Sequence, residues 1–347
     1  MVKKKIISKR YLNDGVSLLC LNETQQRLLK NFLGDKRIKH KTISHCPLCS
    51  GEDSIMIAEK DRYGIPLETV VCKNCGLVRS YKQLEEKSSG IFYFEYYRKI
   101  FGEPKELVDK RYEIGAKQKI PKHLTKGKTI LDIGCGGGWN LMAFHNKGYK
   151  YYGFDFDQDL INYGRKRGLN LYLGGISEVI KQGIKCDYLV LDQVLEHTNN
   201  PIDFLISLKP ILNDKAIIDI GVPALNLIFW GEANGDLLKI LQIPHNFLFD
   251  EFTLEKIGLI SGFEIVNCIG GSLVLKKQKN QQNNNKIFRT LNLNRGEKVV
   301  RYLRFVEKSL FLKQRTRINK ILNKKLYCFL KPLKCWRKFS IFYLGRI

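Results

Sequence analysis

The stretch Thr129-Ile-Leu-Asp-Ile-Gly-Cys-Gly-Gly-Gly138 decides the fold class of this chain. Its first five residues predict a buried strand, and the glycines that follow permit a sharp turn into a helix. Gly134, Gly136 and Gly138 stand at G-x-G-x-G, where the bare backbone can approach a nucleotide bound at a helix N-terminus. The next predicted strand ends at Asp155, whose carboxylate can accept hydrogen bonds from both hydroxyls of a ribose.

Around this stretch, short apolar runs alternate with helical patterns over residues 126–277, which is typical of a parallel sheet built from βαβ units. Glycines at 262 and 270–271 predict tight turns, so the last two strands should pair antiparallel. The predicted strands are 129–133, 151–154, 169–173, 188–191, 216–220, 263–266 and 272–275. The predicted helices are 139–146, 159–167, 176–182, 202–212 and 253–260. The sequence therefore predicts an α/β core with seven strands.

Four of the ten cysteines form two pairs, Cys46-Pro-Leu-Cys49 and Cys72-Lys-Asn-Cys75. This pairing favours a tetrahedral zinc site, and four thiolates would fill the coordination sphere, so the metal would be structural. A redox dithiol and two unrelated reduced pairs are the alternatives. His45 is excluded, because a sequence neighbour of a ligand seldom reaches the same ion without strain. The other cysteines, Cys135 and Cys186 among them, are expected to pack as small hydrophobic residues.

The positive charge is concentrated at the C-terminal end. The chain has 59 Lys and Arg against 34 Asp and Glu, a net charge of +25. From Lys276 onward there are 21 basic residues and only two acids, so the first 275 residues carry 38 minus 32, or +6. This distribution excludes a uniformly basic nucleic-acid binder. No apolar run approaches the roughly 20 residues of a membrane span, so a soluble or peripheral cytoplasmic protein is expected.

The glycine trio, the preceding Asp132 and the strand-end Asp155 resemble the motifs of class I S-adenosylmethionine (SAM)-dependent methyltransferases. The stretch Cys186-Asp-Tyr-Leu-Val-Leu-Asp-Gln-Val-Leu-Glu-His197 resembles the fourth motif of that family. The resemblance implies a Rossmann-like sheet and a bound SAM. By this resemblance, Asp132 and Gly134 would contact the methionine end of SAM, and Gly136 and Gly138 would line the passage of the cofactor. Asp155 would hold the ribose, and Phe156 would cover the adenine. Asp192 and Gln193 would lie beside the transferred methyl group. For Asp157 and Asp159, helix N-capping is the expected role.

A narrower resemblance comes from the order of the parts. A four-cysteine module, an aromatic connector and this core are similar to bacterial and archaeal enzymes that modify sugars of surface polysaccharides or nucleotide-activated deoxysugars. The connector is Ile91-Phe-Tyr-Phe-Glu-Tyr-Tyr-Arg98. The resemblance implies that it caps the active site and binds a sugar or its phosphate. The alternative is a helix that packs the zinc module onto the core.

The long segment 221–251 is expected to build the substrate pocket, because long inserts at this edge of a sheet commonly do so. Sugar C-methyltransferases with a similar zinc module have a Glu-His pair here, but Pro244 replaces the glutamate, which disfavours carbon methylation. Methylation of a hydroxyl asks less of the protein, because a base needs to take the hydroxyl proton only late in the transfer. His245 and His197 are the candidates for this base, and Glu196 is a further candidate catalytic residue. The alternatives are a structural His245 and a His197 that orients Glu196 or the backbone. The remaining histidines His40, His123 and His145 are expected at the surface.

The C-terminal region begins with a polar linker, 276–286. Apolar residues then fall at helical spacing among Lys and Arg, at Val299, Val300, Leu303, Val306, Leu310 and Phe311, and residues 327–347 mix aromatic with basic side chains. A basic amphipathic helix with aromatic anchors favours peripheral attachment to an anionic membrane. Helices docked on the core and an RNA-binding arm are the alternatives.

The sequence thus divides into an N-terminal extension (1–42), a zinc-ribbon module (43–85), a connector (86–125), a methyltransferase domain (126–277) and a linker with a basic helical tail (278–347). The expected function is methylation of a saccharide hydroxyl, on a surface polysaccharide, lipid-linked glycan or nucleotide sugar. The alternatives are an RNA methyltransferase, a deoxysugar C-methyltransferase and a non-catalytic scaffold. The near-neutral core and the absence of an Asn-Pro-Pro-Tyr-type motif disfavour RNA, and the filled cofactor positions disfavour a scaffold.

Overall fold

The computed structural model describes residues 1–102, 105–122, 124–278 and 294–315. The strands, numbered in chain order, are β1 Val2–Lys4, β2 His40–Thr42, β3 Ser54–Lys60, β4 Pro66–Cys72, β5 Val78–Ser80, β6 Lys82–Leu84, β7 Thr129–Ile133, β8 Lys150–Asp155, β9 Leu171–Leu173, β10 Cys186–Asp192, β11 Leu212–Gly221, β12 Phe247–Leu248, β13 Phe263–Ile269 and β14 Ser272–Lys277. The helices are α1 Glu23–Gly34, α2 Glu86–Ile91, α3 Arg98–Phe101, α4 Lys105–Ala116, α5 Met142–Asn146, α6 Gln158–Arg165, α7 Ile176–Lys181, α8 Pro201–Ser207, α9 Glu251–Ile260 and α10 Gly296–Arg315.

The central element is a seven-stranded sheet in the order β13-β14-β11-β10-β7-β8-β9. The five strands from β9 to β11 pair in parallel, whereas β14 pairs antiparallel with both β11 and β13. The predicted Rossmann-like sheet with a final antiparallel pair is confirmed. The strand order reverses between β7 and β10, and ligands of such sheets bind at the carboxyl ends of the strands beside that point.

The largest differences between the predicted and observed helices are found in two of them. The helix expected over 202–212 ends at Ser207, a short 3₁₀ turn follows at Lys209–Ile211, and β11 already begins at Leu212. Pro210 has no backbone N–H to continue the helix, and Leu212 pairs with Cys186 of β10. The helix expected over 139–146 opens with a 3₁₀ turn at Trp139–Leu141 before α5.

A second sheet, of five strands in the order β1-β3-β4-β5-β12, draws on three separate parts of the chain. β1 belongs to the N-terminal extension, β3 to β5 to the cysteine module, and β12 to the segment that follows β11. β12 pairs antiparallel with β5, Phe247 facing Arg79 and Leu248 facing Val78. The cysteine module is therefore joined directly to the segment that carries His245, a connection that no sequence pattern indicated.

The apolar side of α10 packs against the protein itself. Val299, Val300, Leu303 and Val306 are buried in one cluster with side chains of β3, β4 and the segment after β11. The expectation that this apolar side inserts into a membrane is wrong for α10, and the alternative of a helix docked on the core is confirmed for it. Most of the linker, the stretch 327–347, His123 and the side chain of Phe311 lie outside the described residues. Within the described part of the chain, no helix is long and apolar enough to cross a membrane.

Candidate functional site

The glycine loop after β7 lines the crevice at the strand-order reversal. Gly134, Gly136 and Gly138 all have positive φ, at 73°, 54° and 82°. A Cβ at Gly134 would lie 2.5 Å from Cγ2 of Val194, and one at Gly136 would lie 2.3 Å from the Trp139 ring. Side chains are therefore excluded by both conformation and space, and the backbone remains accessible to a nucleotide.

The end of β8 presents Asp155 and Phe156 to the same crevice. Asp155 accepts hydrogen bonds from the backbone N–H of Gly136 (2.7 Å) and of Asp157 (2.8 Å), one on each carboxylate oxygen. Burial raises the pKa of Asp155 above its usual value, and each oxygen keeps a further lone pair for a ligand hydroxyl. The Phe156 ring is 65% exposed, which suits a side chain that covers a planar base. These residues fit the adenosine part of SAM.

The end of β10 brings Asp192 and Gln193 to the crevice. Asp192 accepts a hydrogen bond from Nδ2 of Asn140 (3.1 Å), and Gln193 has a φ of 58° with its N–H donating to the carbonyl of Gly221 (2.7 Å). Asp132 is fully buried in β7. The structure thus brings the predicted cofactor residues to three adjacent strand ends. It adds Asn140, which no sequence motif marked.

Asp157 caps the helix that follows β8, as the sequence analysis expected. Its Oδ1 accepts a hydrogen bond from the backbone N–H of Leu160 (3.0 Å), and its Oδ2 forms an ion pair with Nε of Arg98 (3.0 Å). The same expectation is wrong for Asp159, which lies exposed in the first turn of α6, two residues after the N-cap Asp157. Cys135 and Cys186 are buried, which confirms that they pack in the core.

We expect Asp155→Ala to weaken SAM binding by about 1.5–3 kcal/mol, because an ionised acceptor of ribose hydroxyls contributes roughly that much. Isothermal titration calorimetry measures the change directly. Asp159→Ala is the matched control, because Asp159 is exposed on α6 and should leave the affinity unchanged. An unchanged affinity in Asp155→Ala would remove Asp155 from the binding site.

Beyond β10, three ionisable side chains converge. Glu196 and His197 lie in a 3₁₀ turn at Leu195–His197, and His245 lies just before β12. One carboxylate oxygen and one nitrogen from each histidine lie within 4.8 Å of one another, and the imidazole centroids are 4.8 Å apart. The two histidines and the glutamate singled out by sequence therefore form one cluster, although 47 residues separate the histidines.

His197 is held as a neutral imidazole. Its Nδ1 lies 2.9 Å from the carbonyl oxygen of Pro244, which can only accept, so Nδ1 carries the proton and the lone pair is on Nε2. The hydroxyl of Tyr93 lies 3.0 Å from the same nitrogen. Burial lowers the pKa of His197 to about 4 despite the bond to Pro244. The hydrogen bond from Nδ1 to the carbonyl of Pro244 supports the alternative in which His197 orients the backbone.

Glu196 is fully buried, and neither carboxylate oxygen has a hydrogen-bond partner among the described residues. Burial without compensating donors disfavours the charged form and raises the pKa of Glu196 to about 8. At neutral pH the side chain is therefore mainly a carboxylic acid. Its Oε1 lies 3.9 Å from Nε2 of His197.

This pKa predicts a pH-dependent stability. Between the usual pKa of 4.5 and about 8, the folded protein keeps a proton on Glu196 that the unfolded chain loses. Unfolding then releases a proton, so the free energy of unfolding falls as pH rises, by up to about 1.4 kcal/mol per pH unit. Glu196→Gln should remove this component, and urea denaturation at pH 5 and pH 8 should show a smaller loss than in the wild type. Glu106→Gln, at an exposed position of α4, is the matched control. Equal losses in Glu196→Gln and wild type would contradict a protonated Glu196.

His245 is positioned by the five-stranded sheet. Its carbonyl accepts a hydrogen bond from Oγ of Ser80 (3.1 Å), and the carbonyl of Asn246 accepts one from the backbone N–H of Ser80 (2.9 Å). Nε2 of the Gln242 side-chain amide lies 2.5 Å from Nε2 of His245. Nδ1 of His245 is buried and has no hydrogen-bond partner among the described residues. Burial, followed by the nearby His197, lowers the pKa of His245 well below its usual 6.5. No sequence motif marked Ser80 or Gln242.

The aromatic connector forms one wall of this cluster. Residues Phe92–Tyr97 form a π-helical turn between α2 and α3, and the rings of Tyr93 and Tyr97 meet the His197 ring edge-on, with centroids 6.1 and 6.3 Å apart. Phe92 is buried against Phe32 of α1. The segment therefore packs the N-terminal region onto the core and also borders the candidate site.

Residues 99–267, just under half of the chain, match a family model described as a methyltransferase domain. Residues 99–267 thus form a methyltransferase domain. The methyltransferase domain expected from the glycine loop and the fourth-strand motif is confirmed.

The methyltransferase domain also has named relatives. The tRNA U34 carboxymethyltransferase of Campylobacter lari is 31% identical over 102 residues, which cover 27% of this chain and 34% of that protein. The chain thus spans about a third of the length of this curated relative. A SAM-dependent methyltransferase structure from Methanosarcina mazei is 18% identical, with a TM-score of 0.35, over 46% of this chain and 98% of that one. One from Archaeoglobus fulgidus is 18% identical, with a TM-score of 0.37, over 54% of this chain and all of that one (100%).

The four paired cysteines lie outside the matched methyltransferase domain. Their sulfur atoms lie within 4.8 Å of one another, with Cys46 and Cys75 3.5 Å apart and Cys49 and Cys72 3.4 Å apart. Four thiolates bound to zinc at about 2.3 Å have sulfurs separated by just under 4 Å, so the donor set and spacing fit this ion. His45 is exposed and lies 3.2 Å from Glu52, away from the sulfur cluster, as expected. The arrangement also brings both pairs into one site, which two unrelated pairs would not do.

Proposed function

We propose that this methyltransferase transfers a methyl group from SAM to a hydroxyl of a saccharide. The proposal rests on one observation: two neutral histidines and a buried acid converge beside the SAM crevice, against a wall of tyrosines. When bound, SAM supplies an electrophilic methyl group on a sulfonium. The protein's task is then to align a hydroxyl with that methyl group, to exclude water and to receive a proton.

His245 is the proposed acceptor of the hydroxyl proton. The Gln242 atom that faces the ring is Nε2, 2.5 Å from Nε2 of His245. Because an amide nitrogen only donates, the proposed role of His245 requires the Gln242 amide to be turned by 180°, with its oxygen on Nε2, the ring proton on Nε2 and the lone pair on Nδ1. That nitrogen is buried and unpartnered among the described residues, so a substrate hydroxyl would give it a hydrogen bond. The lowered pKa keeps the imidazole neutral at physiological pH. His197 and Glu196 are proposed to position His245 and the substrate.

Oxygen is favoured over carbon as the acceptor. Carbon methylation of a deoxysugar needs a strong base, and position 244, where the related enzymes have glutamate, is proline. Glu196 lies close to the histidines, but its raised pKa leaves it mainly protonated at neutral pH. The cluster is therefore suited to the late removal of a hydroxyl proton.

The saccharide is proposed from the wall that the connector provides. Tyr93 and Tyr97 offer ring surface for the apolar face of a sugar, and Arg98 lies at the end of the same turn. Arg98 already pairs with Asp157 at the SAM crevice, and its fork of N–H donors suits a phosphate of a nucleotide-linked or lipid-linked sugar.

We also propose that the four cysteines bind one structural zinc ion. The four thiolates would fill its coordination sphere, so no position would be left for substrate. The ion would fix the two cysteine turns, and β5, which follows the second of them, pairs with the strand next to His245. Its proposed contribution to catalysis is thus to hold His245 in place.

RNA is the second candidate substrate class, because the curated relative from Campylobacter lari is named as a tRNA carboxymethyltransferase. One experiment separates the classes: incubation of the protein with methyl-labelled SAM and either lipid-linked glycans, nucleotide sugars or total RNA. We expect label in a glycan fraction, and a mass increase of one methyl group on the sugar. Gly136→Val, which would clash with Trp139 in the SAM loop, is the inactive control. Label confined to RNA would refute the saccharide, and no transfer to any acceptor class would favour the scaffold.

A further inference from the structure

We propose that the outward side of α10, together with Trp230, is a docking surface for an anionic phospholipid membrane. This basic aromatic face consists of Lys298, Arg301, Arg304, Phe305 and Lys308 of α10 and of Trp230. It is the side opposite to the one whose apolar residues are buried in the protein. The inference is independent of the identity of the methyl acceptor.

The basic residues form one continuous stripe. Positions 298, 301, 304, 305 and 308 recur every three or four residues, so they lie on the same side of the helix, over about 15 Å of its length. All five side chains are exposed. The acids of α10 do not neutralise the stripe, because Glu297 pairs with Lys5 and the buried Glu307 pairs with Arg10. Within the described part of the chain none of the four cations forms an ion pair, although the Arg304 guanidinium donates to the carbonyls of Lys5 and Ile6 (both 3.3 Å).

Aromatic rings stand in the same surface. Phe305 is 54% exposed and Trp230 is 48% exposed, although both are large apolar side chains. Phe229 lies between them, with its ring centroid 5.2 Å from that of Phe305 and 5.1 Å from that of Trp230. Exposed Trp and Phe beside Lys and Arg match the chemistry of the membrane interface, where aromatic rings enter the headgroup region and cations meet lipid phosphates.

The sequence that follows α10 has the same chemistry. Residues 316–347 contain no Asp or Glu. They contain nine basic residues, namely Arg317, Lys320, Lys324, Lys325, Lys331, Lys334, Arg337, Lys338 and Arg346, and six aromatic ones, namely Tyr327, Phe329, Trp336, Phe339, Phe342 and Tyr343. This region directly follows α10 in the sequence, so its positive charge adds to that of the basic aromatic face. A negatively charged lipid surface complements them better than a discrete acidic site on a protein would.

The test is co-sedimentation of the full-length chain with vesicles of phosphatidylcholine alone or mixed with phosphatidylserine. We expect binding to the mixed vesicles and little to phosphatidylcholine. Each Lys or Arg close to an anionic bilayer changes the partition coefficient about fivefold. Arg301→Glu with Lys308→Glu should therefore lower it by about 25-fold or more. Trp230→Ala with Phe305→Ala should lower it several-fold without changing the charge.

The matched control is Lys166→Glu with Lys185→Glu, which makes the same change in net charge at exposed positions beyond α6 and α7. It should retain most of the binding. All variants keep residues 316–347, so a loss specific to α10 cannot come from removal of that region.

Three results would overturn the proposal. The first is equal partitioning of the wild type and both α10 variants. The second is a wild-type protein that binds single-stranded RNA but neither kind of vesicle, together with α10 variants that no longer bind the RNA. The third is a wild-type dimer that the Trp230 and Phe305 variant converts to monomer, which would assign the face to a second copy of the chain.

Discussion

Replacement of His245 by alanine is expected to lower kcat by about 10²–10⁴-fold, the usual contribution of a positioned general base. SAM affinity should change little, because the residues expected to bind SAM lie on β7, β8 and β10, whereas His245 is held by β12 and Ser80. The measurement is a steady-state methyl-transfer assay together with calorimetry of SAM binding. A loss of kcat with unchanged SAM affinity would place His245 at the acceptor and not at the cofactor.

The pH dependence gives an independent readout. Because burial lowers the pKa of His245 well below 6.5, the wild-type rate should stay constant through neutral pH. It should fall only when the pH drops through that lowered pKa and the ring gains a proton. His245→Ala should lose this acidic limb. His40→Ala, at an exposed position of β2, makes the same chemical change away from the site and should keep both rate and profile. A His245→Ala enzyme with at least half the native kcat would show that alignment alone drives transfer.

Cys72→Ser is expected to abolish zinc binding and to unfold the cysteine module locally. Apparent binding free energies of structural zinc in zinc-finger peptides are about 10–16 kcal/mol, and this energy is coupled to folding. Metal analysis of the native protein should give one zinc per chain, and the variant should give none. Native, unchelated protein without zinc would refute the site.

The contacts around the second cysteine pair show how far the effect should spread. The backbone N–H of Arg295 donates to the carbonyl of Asn74 (2.9 Å), and its guanidinium donates to the carbonyl of Cys75 (3.1 Å), so the start of α10 rests on this turn. β5, which follows it, pairs with β12 beside His245. Hydrogen exchange in Cys72→Ser should therefore rise in α10 and β12.

The same variant should lose methyl transfer by at least about tenfold, because a general base displaced from its position forfeits much of its effect. SAM affinity should fall less than the rate. The cysteine module shares a buried cluster with one side of the seven-stranded sheet, but the other side packs Ile130, Cys135 and Leu171 in a cluster without it. Cys20→Ser, at an exposed cysteine outside the cluster, is the matched control and should change neither metal content nor rate. Full activity in a zinc-free Cys72→Ser protein would separate the metal from catalysis.

Local sequence was sufficient to predict the methyltransferase core and to predict that Asp155 and Asp192 lie at the same edge of its sheet. The strand–glycine–helix stretch, the strand-end Asp155 and the fourth-strand motif are each contiguous, and parallel βαβ units place successive strand ends at one edge. The convergence of the four cysteines was predicted in the same way, because each Cys-x-x-Cys turn already holds two sulfur atoms close together. The apolar side of α10 could also be predicted, from the helical spacing of its apolar residues.

What covers that apolar side, and what surrounds His245, was decided by contacts between distant parts of the chain. α10 packs on β3 and β4 some 240 residues earlier in sequence, so its burial had no local signal. His245 reaches Glu196 and His197 because β12 pairs with β5 of the cysteine module. Hydrophobic periodicity shows that a face will be buried, but not against what, since burial is non-directional and any apolar surface satisfies it. Likewise, the pKa values of Glu196 and the two histidines depend on the desolvation that this assembly produces, which residue type and spacing do not encode.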